Sequence, residues 1–136
     1  MEIRKEGNII VAKFVDGEII ENVKRLVEKE SIDSAIILSG IGMLKNVEIG
    51  YFSGKEYKIE KIEEPVELVS LQGNIGRGDE IICHFHIAVA GENHELKGGH
   101  LLKGEVKVVN EIAILKLREI KIKRKKNAIG LMEMFL

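Results

Sequence analysis

The 136-residue sequence has no tryptophan, one cysteine, one proline and only 4% aromatic residues. A single cysteine excludes an intrachain disulfide and favours a reducing compartment, so we expect a cytoplasmic protein. The 21 basic and 22 acidic side chains nearly balance, which argues against a general attraction to nucleic acid or anionic membrane. No apolar run approaches the roughly 20 residues of a membrane-spanning helix. The amino-terminal segment lacks an apolar stretch, so we expect no signal peptide and no membrane partner.

The remaining pattern predicts an α+β fold. Apolar residues make up 45% of the chain, enough for a hydrophobic core in one domain spanning residues 1–136. Apolar residues recur at helical spacing between residues 18 and 30, which predicts one main helix with Asp16 as its N-cap. Short alternating or β-branched runs separated by glycines fill the rest, and they predict a mainly antiparallel β-sheet on which the helix packs.

All four histidines lie in one stretch that begins at His84 and ends at His100. Successive side chains of a β-strand point to opposite faces, so the segment IICHFHIAVA places His84 and His86 together. Their separation along the strand is expected to be roughly 6.5–7 Å. The opposite face is apolar and is predicted to join the core; it carries Cys83, Phe85, Ile87 and Val89.

A β-hairpin would bring His100 to the same face. If residues 91–93 form a three-residue loop, His84 lies opposite His100 and His86 lies opposite Gly98. A glycine at that place leaves room for an ion, a ligand or a close backbone approach. A two-residue loop would instead turn His100 to the other face.

Three neutral imidazoles on one face form the donor set of a catalytic zinc site, with water or substrate in the fourth position. We therefore predict His84, His86 and His100 as metal ligands and leave out His94, which lies near the loop. Zinc is the first choice, although imidazole also suits other divalent transition metals. The alternative interpretation is that these histidines are partly buried polar residues of a subunit interface or a solvated hairpin face.

The segments PVELVSLQGNIG and HFHIAVAGENHELKGGHLLKGEV resemble the core of the plants-and-prokaryotes conserved (PPC) domain family. The matching positions are Glu67, Leu68, Ser70, Leu71, Gly73, Asn74, His84, His86, Ala90, Gly98, Gly99, His100, Leu101 and Gly104. The resemblance implies a homotrimer with a fold similar to α-acetolactate decarboxylase, in which three histidines hold zinc. It also implies a DNA-associated or regulatory role, although residues 64–66 depart from the plant pattern.

Two function classes remain open: a metal-binding protein with a DNA-associated or regulatory role, and a small metal-dependent lyase or hydrolase. An enzyme needs an acid or base near the ion. Glu80, Glu105 and Arg77 are candidates, and no catalytic residue is assigned.

Three further segments carry predictions about local structure. The basic run at residues 121–126 is interpreted as a solvated edge strand rather than a phosphate contact, so DNA is a weakly supported partner. The glycine-rich residues 73–80 are predicted to form a flexible loop, with a role as a lid left open. The apolar residues 128–136 are expected to add a strand or to pack on a neighbouring subunit.

Overall fold

The computed structural model describes residues 1–136 and has one helix packed on a mainly antiparallel sheet, which confirms the predicted α+β class. In chain order the elements are β1 (Glu2–Glu6), β2 (Ile9–Phe14), α1 (Ile19–Lys29), β3 (Ala35–Phe52), β4 (Tyr57–Ile62), β5 (Val66–Arg77), β6 (Ile81–Ala90), β7 (Leu96–Lys116), β8 (Lys123–Lys126) and β9 (Met132–Phe135).

The nine strands form one sheet with the order β1-β2-β7-β3-β5-β8-β9, while β4 pairs with β3 and β6 pairs with both β5 and β7. The pairings among β3, β5, β6 and β7 make a closed circuit, so the sheet curls back on itself. All strand pairs are antiparallel except β5 and β8, which meet at one parallel pairing between Arg77 and Lys123. The curl places β6, which carries two histidines, between β5 and β7.

Helix α1 buries its apolar stripe in the core, where the side chains of Ile19, Val23, Leu26 and Val27 are fully buried. Its N-cap is Glu18, whose carboxylate accepts from the backbone N–H of Glu21 at 2.9 Å. The prediction of Asp16 was wrong because the Glu18 carboxylate also accepts from the Gly104 N–H at 3.0 Å and so ties the helix start to β7. The helix has 11 residues, and the structure contains no helix long and apolar enough to cross a membrane.

The glycine-rich segment that was predicted to be a loop is largely part of a strand. β5 continues through Arg77 and pairs with β6 along this length, so the prediction of a flexible loop is wrong for residues 73–77. Gly73 has a φ of +142°, and a Cβ there would overlap the carbonyl oxygen of His84. The absence of a side chain at Gly73 therefore lets the backbone of β5 approach closely that of β6, the strand that carries His84.

The predictions for the carboxyl-terminal hairpin of β8 and β9 are confirmed only in part. The lysines of β8 are exposed as expected, but Arg124 on the same strand is only 5% exposed. β8 is also paired on both sides, with β9 and at one residue with β5, so it is not a free edge. The apolar tail does add a strand, β9, although Met134 and Phe135 remain exposed.

Candidate metal centre

The three predicted ligands lie together at the place where β6 and β7 separate. His86 of β6 lies directly opposite His100 of β7, and this pair is the one farthest from the hairpin loop. His84 is two residues earlier on the same face of β6. The ring centroids are 5.2 Å apart for His84 and His86, 5.3 Å for His84 and His100, and 5.5 Å for His86 and His100. One nitrogen from each ring lies within 4.8 Å of the other two.

The register that brings them together differs from the predicted one. The hairpin loop spans residues 91–95, and His100 pairs with His86 rather than with His84. The loop is longer because the backbone N–H of His94 donates to the carbonyl of Gly91 at 2.9 Å, with His94 in the left-handed region at φ 65°. A shift of two residues keeps every side chain on its face, so the three histidines still converge.

The Gly-Gly pair serves a different contact from the one predicted. Gly98 lies opposite Ala88, not opposite His86. A Cβ at Gly98 would come within 2.5 Å of a backbone carbonyl oxygen of β6, and one at Gly99 within 2.8 Å of a carbonyl oxygen of β3. The two glycines therefore let β7 fit closely between its neighbours just before His100. The sequence suggested that a glycine here leaves room for an ion, a ligand or a close backbone approach. The structure shows the close backbone approach.

Burial favours the neutral form of two of the three imidazoles. Desolvation lowers the pKa of His84, helped by the charge of Arg124 and by His86. Desolvation, with contributions from His84 and His86, lowers the pKa of His100 to about 4. Neutral imidazole is the form that binds metal. The Nδ1 atom of His100 is buried without a hydrogen-bond partner, so the donor set fits a divalent transition-metal ion, which would satisfy nitrogens of this kind.

A cleft of about 500 Å³ opens beside the cluster, within the size range of small-molecule sites. His84 and His100 line it, whereas His86 is exposed outside it. Apolar side chains form part of its wall, including Ile82, Leu131 and Met132. An ion held by the three histidines would therefore border a space that can receive a small molecule.

Tyr57 covers one side of the cluster and was not predicted. Its ring stacks on that of His100, with centroids 5.0 Å apart and an interplanar angle of 27°. The absence of a side chain at Gly50, which pairs with His100, makes this possible, because a Cβ there would lie 2.7 Å from the tyrosine ring. Nothing in the local sequence indicates this contact, because β4 reaches His100 only through its pairing with β3.

Arg124 and Asn74 form the second unpredicted part of the site. Asn74 pairs with His84 across β5 and β6, so the two side chains share a face. The Nη2 atom of Arg124 donates to Asn74 Oδ1 and lies 3.5 Å from His84 Nδ1. A signal was available in the sequence: Arg124 comes two residues after Ile122, so on a strand both side chains face inward.

The acid and base candidates taken from the sequence lie elsewhere, since none of them lines the cleft. Glu105 accepts from the side-chain amide of Asn46 at 3.1 Å. Arg77 forms an ion pair with Asp33 at 2.8 Å, and Glu80 lies in the turn before β6. The carboxylate that does line the cleft is Glu133 of β9.

The chain belongs to the Plants and Prokaryotes Conserved domain family, whose sequence profile matches residues 1–118. It is similar to a plant- and prokaryote-conserved protein of Pyrococcus horikoshii, with 37% identity and a TM-score of 0.89 over 99% of this chain and 94% of that one. The metal-containing protein AF0104 of Archaeoglobus fulgidus is 28% identical, with a TM-score of 0.86 over 100% of this chain and 99% of that one. A Bacteroides thetaiotaomicron protein, 24% identical with a TM-score of 0.88 over 98% of this chain and 96% of that one, shares the fold. No curated protein matches this chain.

Proposed function

We propose that this protein binds one divalent transition-metal ion per chain, with zinc as the first choice, through His84, His86 and His100. The observation that carries the proposal is the convergence of three imidazole nitrogens within 4.8 Å. The lowered pKa values of His84 and His100 and the unpartnered Nδ1 of His100 add support. The similarity to a metal-containing protein of Archaeoglobus fulgidus agrees with it.

The position of the cluster favours an ion that meets a small molecule rather than a closed structural ion. Three protein ligands leave coordination positions free, and an open site of this kind acts as a Lewis acid or activates water. Here the Tyr57 ring stacks on that of His100, and both side chains line the cleft. The lyase or hydrolase alternative needs a proton-transfer group as well, and Glu133 is the carboxylate best placed for that role.

Metal analysis of tag-free protein tests the proposal. We expect about one equivalent of zinc in the wild type and a loss of it in His100→Ala. His94→Ala is the matched control, because His94 is an exposed loop residue outside the cluster and should keep the metal. Circular dichroism establishes that each variant folds. A wild-type protein that holds no metal after incubation with Zn²⁺ and dialysis would contradict the proposal.

A DNA-associated role is a second proposal, supported by the exposed lysines of β8, namely Lys123, Lys125 and Lys126. Two structural neighbours are named as DNA-binding proteins, but they are only 24% and 21% identical to this chain. Similarity at that level shows a shared fold and not a shared role. Duplex DNA binding should then weaken steeply with salt, and Lys123→Gln with Lys125→Gln should flatten that dependence. Binding that is absent at low salt would reject this role.

We also propose the homotrimer that the family resemblance implies, together with a cytoplasmic location. The outer face of the sheet exposes apolar side chains on neighbouring strands, among them Ile9, Val11 and Ile41. Ile9 and Val11 pair with odd-numbered residues of β7, as does Ile41, so all three share one face. Sedimentation equilibrium should give three times the monomer mass, and Val11→Lys should lower it. A monomeric wild type would contradict this assembly.

A further inference from the structure

Arg124 holds a positive charge at the wall of the cleft without a negative partner. Its side chain lines the cleft, and the residue is 5% exposed. Nη1 donates to the carbonyl of Met132 at 3.1 Å, and Nη2 donates to the side-chain oxygen of Asn74. The Nε atom is buried with no partner. None of the ion pairs within 4 Å includes Arg124.

This arrangement is electrostatically incomplete. A buried charge is costly unless an opposite charge and hydrogen bonds compensate it, and a guanidinium stays protonated in proteins. Asn74 and Met132 offer neutral oxygens only. The nearest ring, that of His84, lies with Nδ1 at 3.5 Å from Nη2 of Arg124 and carries no negative charge. A divalent ion on the three imidazoles would add two more positive charges to the same cleft. Its one lining carboxylate, Glu133, forms no ion pair with Arg124 and could offset only one of the three charges, so the filled site has room for a further anion.

We propose that the cleft binds a small organic carboxylate, whose carboxylate group lies between Arg124 and the ion at the three histidines. The contact between the carboxylate and the ion rests on the proposed metal site, whereas the contact between the carboxylate and Arg124 does not. A guanidinium forms paired, charge-assisted hydrogen bonds with a carboxylate, and the Arg124 side chain lines the cleft together with His84 and His100. The apolar wall and the volume of about 500 Å³ favour an organic molecule over a bare inorganic ion.

Cobalt-loaded protein provides a test with a readout other than catalysis. Co²⁺ replaces the ion, and its visible absorption changes when a ligand enters its coordination sphere. Benzoate is the probe, and benzamide is its neutral counterpart of the same shape, titrated at constant ionic strength. We expect benzoate to change the spectrum saturably and benzamide to leave it unchanged.

Substitution of the arginine identifies the second contact. Arg124→Gln should weaken benzoate about 10- to 100-fold, since hydrogen bonds to charged groups contribute on the order of 1.5–3 kcal/mol. Lys121→Gln is the matched control, because it removes the same charge from an exposed residue just before β8 that does not line the cleft, and it should leave the affinity unchanged. Cobalt content is measured for every variant, so that loss of the ion is not mistaken for loss of the carboxylate contact.

The outcomes separate the two proposals. If cobalt binds but benzoate and benzamide behave alike, or Arg124→Gln keeps full benzoate affinity, the carboxylate inference is wrong and the metal site stands. If no cobalt binds, the metal proposal fails. Equilibrium dialysis of benzoate against the metal-free wild type and Arg124→Gln then tests whether Arg124 binds the carboxylate. There, Arg124-dependent binding supports the inference and its absence overturns it. If Arg124→Gln does not fold, Arg124→Lys replaces it, and unreduced benzoate affinity in that variant also counts against a paired arginine contact.

Discussion

Gly73→Ala should destabilise the protein through the strand that carries His84. Gly73 has a φ of +142°, where a side chain is strained, at a cost of about 1–3 kcal/mol. A Cβ there would also overlap the carbonyl oxygen of His84, so β5 and β6 would have to move apart. Overpacking of this kind costs a further ~1–3 kcal/mol. The expected loss in the free energy of unfolding is therefore about 2–6 kcal/mol.

Gly54→Ala isolates the part of that loss that comes from the close strand contact. Gly54 also has a positive φ, +94°, but a Cβ there would meet nothing within 4 Å. Its substitution should cost only the backbone strain, so the two variants should differ by about 1–3 kcal/mol, or roughly 4–10 °C in Tm for a chain of this length. Urea unfolding followed by circular dichroism, with a chelator present to remove metal, measures both values.

Equal losses in the two variants would refute the reasoning. They would mean that β5 and β6 adjust to a methyl group at Gly73 without cost, and that the close approach next to His84 is not needed for the fold. The segment would then behave as the flexible loop that its glycines suggested. A larger loss for Gly73→Ala, together with weaker metal binding by the folded variant, would tie this glycine to the position of His84.

Three further outcomes are expected. Burial raises the pKa of the Cys83 thiol to about 12, so native protein should react with iodoacetamide at about pH 8 far more slowly than unfolded protein; equal rates would contradict this. The folded state keeps the pKa of His100 near 4, below its ordinary value, so the unfolded chain takes up the proton first as pH falls. The Tm of the metal-free wild type should then fall further between about pH 6.5 and 4 than the Tm of His100→Gln. An equal fall of Tm in both proteins would contradict this prediction. Glu18→Ala should cost about 1 kcal/mol in thermal unfolding, whereas Asp16→Ala should cost less; the reverse order would restore Asp16 as the helix cap.

Local pattern was enough to predict most elements and the shared face of the three histidines. The helical spacing of apolar residues predicted α1 to within a residue at each end. The alternation in β6 predicted its buried face, including Phe85 and Val89. Side-chain parity on a strand depends only on position, so a loop two residues longer than predicted still left His100 on the face of His86.

Contacts between distant segments decided the rest. Arg124 is only two residues from Lys126 in a run of basic side chains, yet one is buried against Asn74 and the other is exposed. Their difference comes from the docking of β8 on β5, a contact that the basic composition does not encode. Tyr57 likewise reaches His100 because β3 pairs with both of their strands.

The sequence by itself determined the α+β class, the helix and the shared face of three histidines, because these follow from the periods of helix and strand. Only the tertiary structure decided the hairpin register, the close approach at Gly73, and the cleft in which a buried arginine faces the histidine cluster. These depend on which strands meet when the sheet curls. The pairing of long-range strands is set by the packing of the whole core, not by the residues of any one segment.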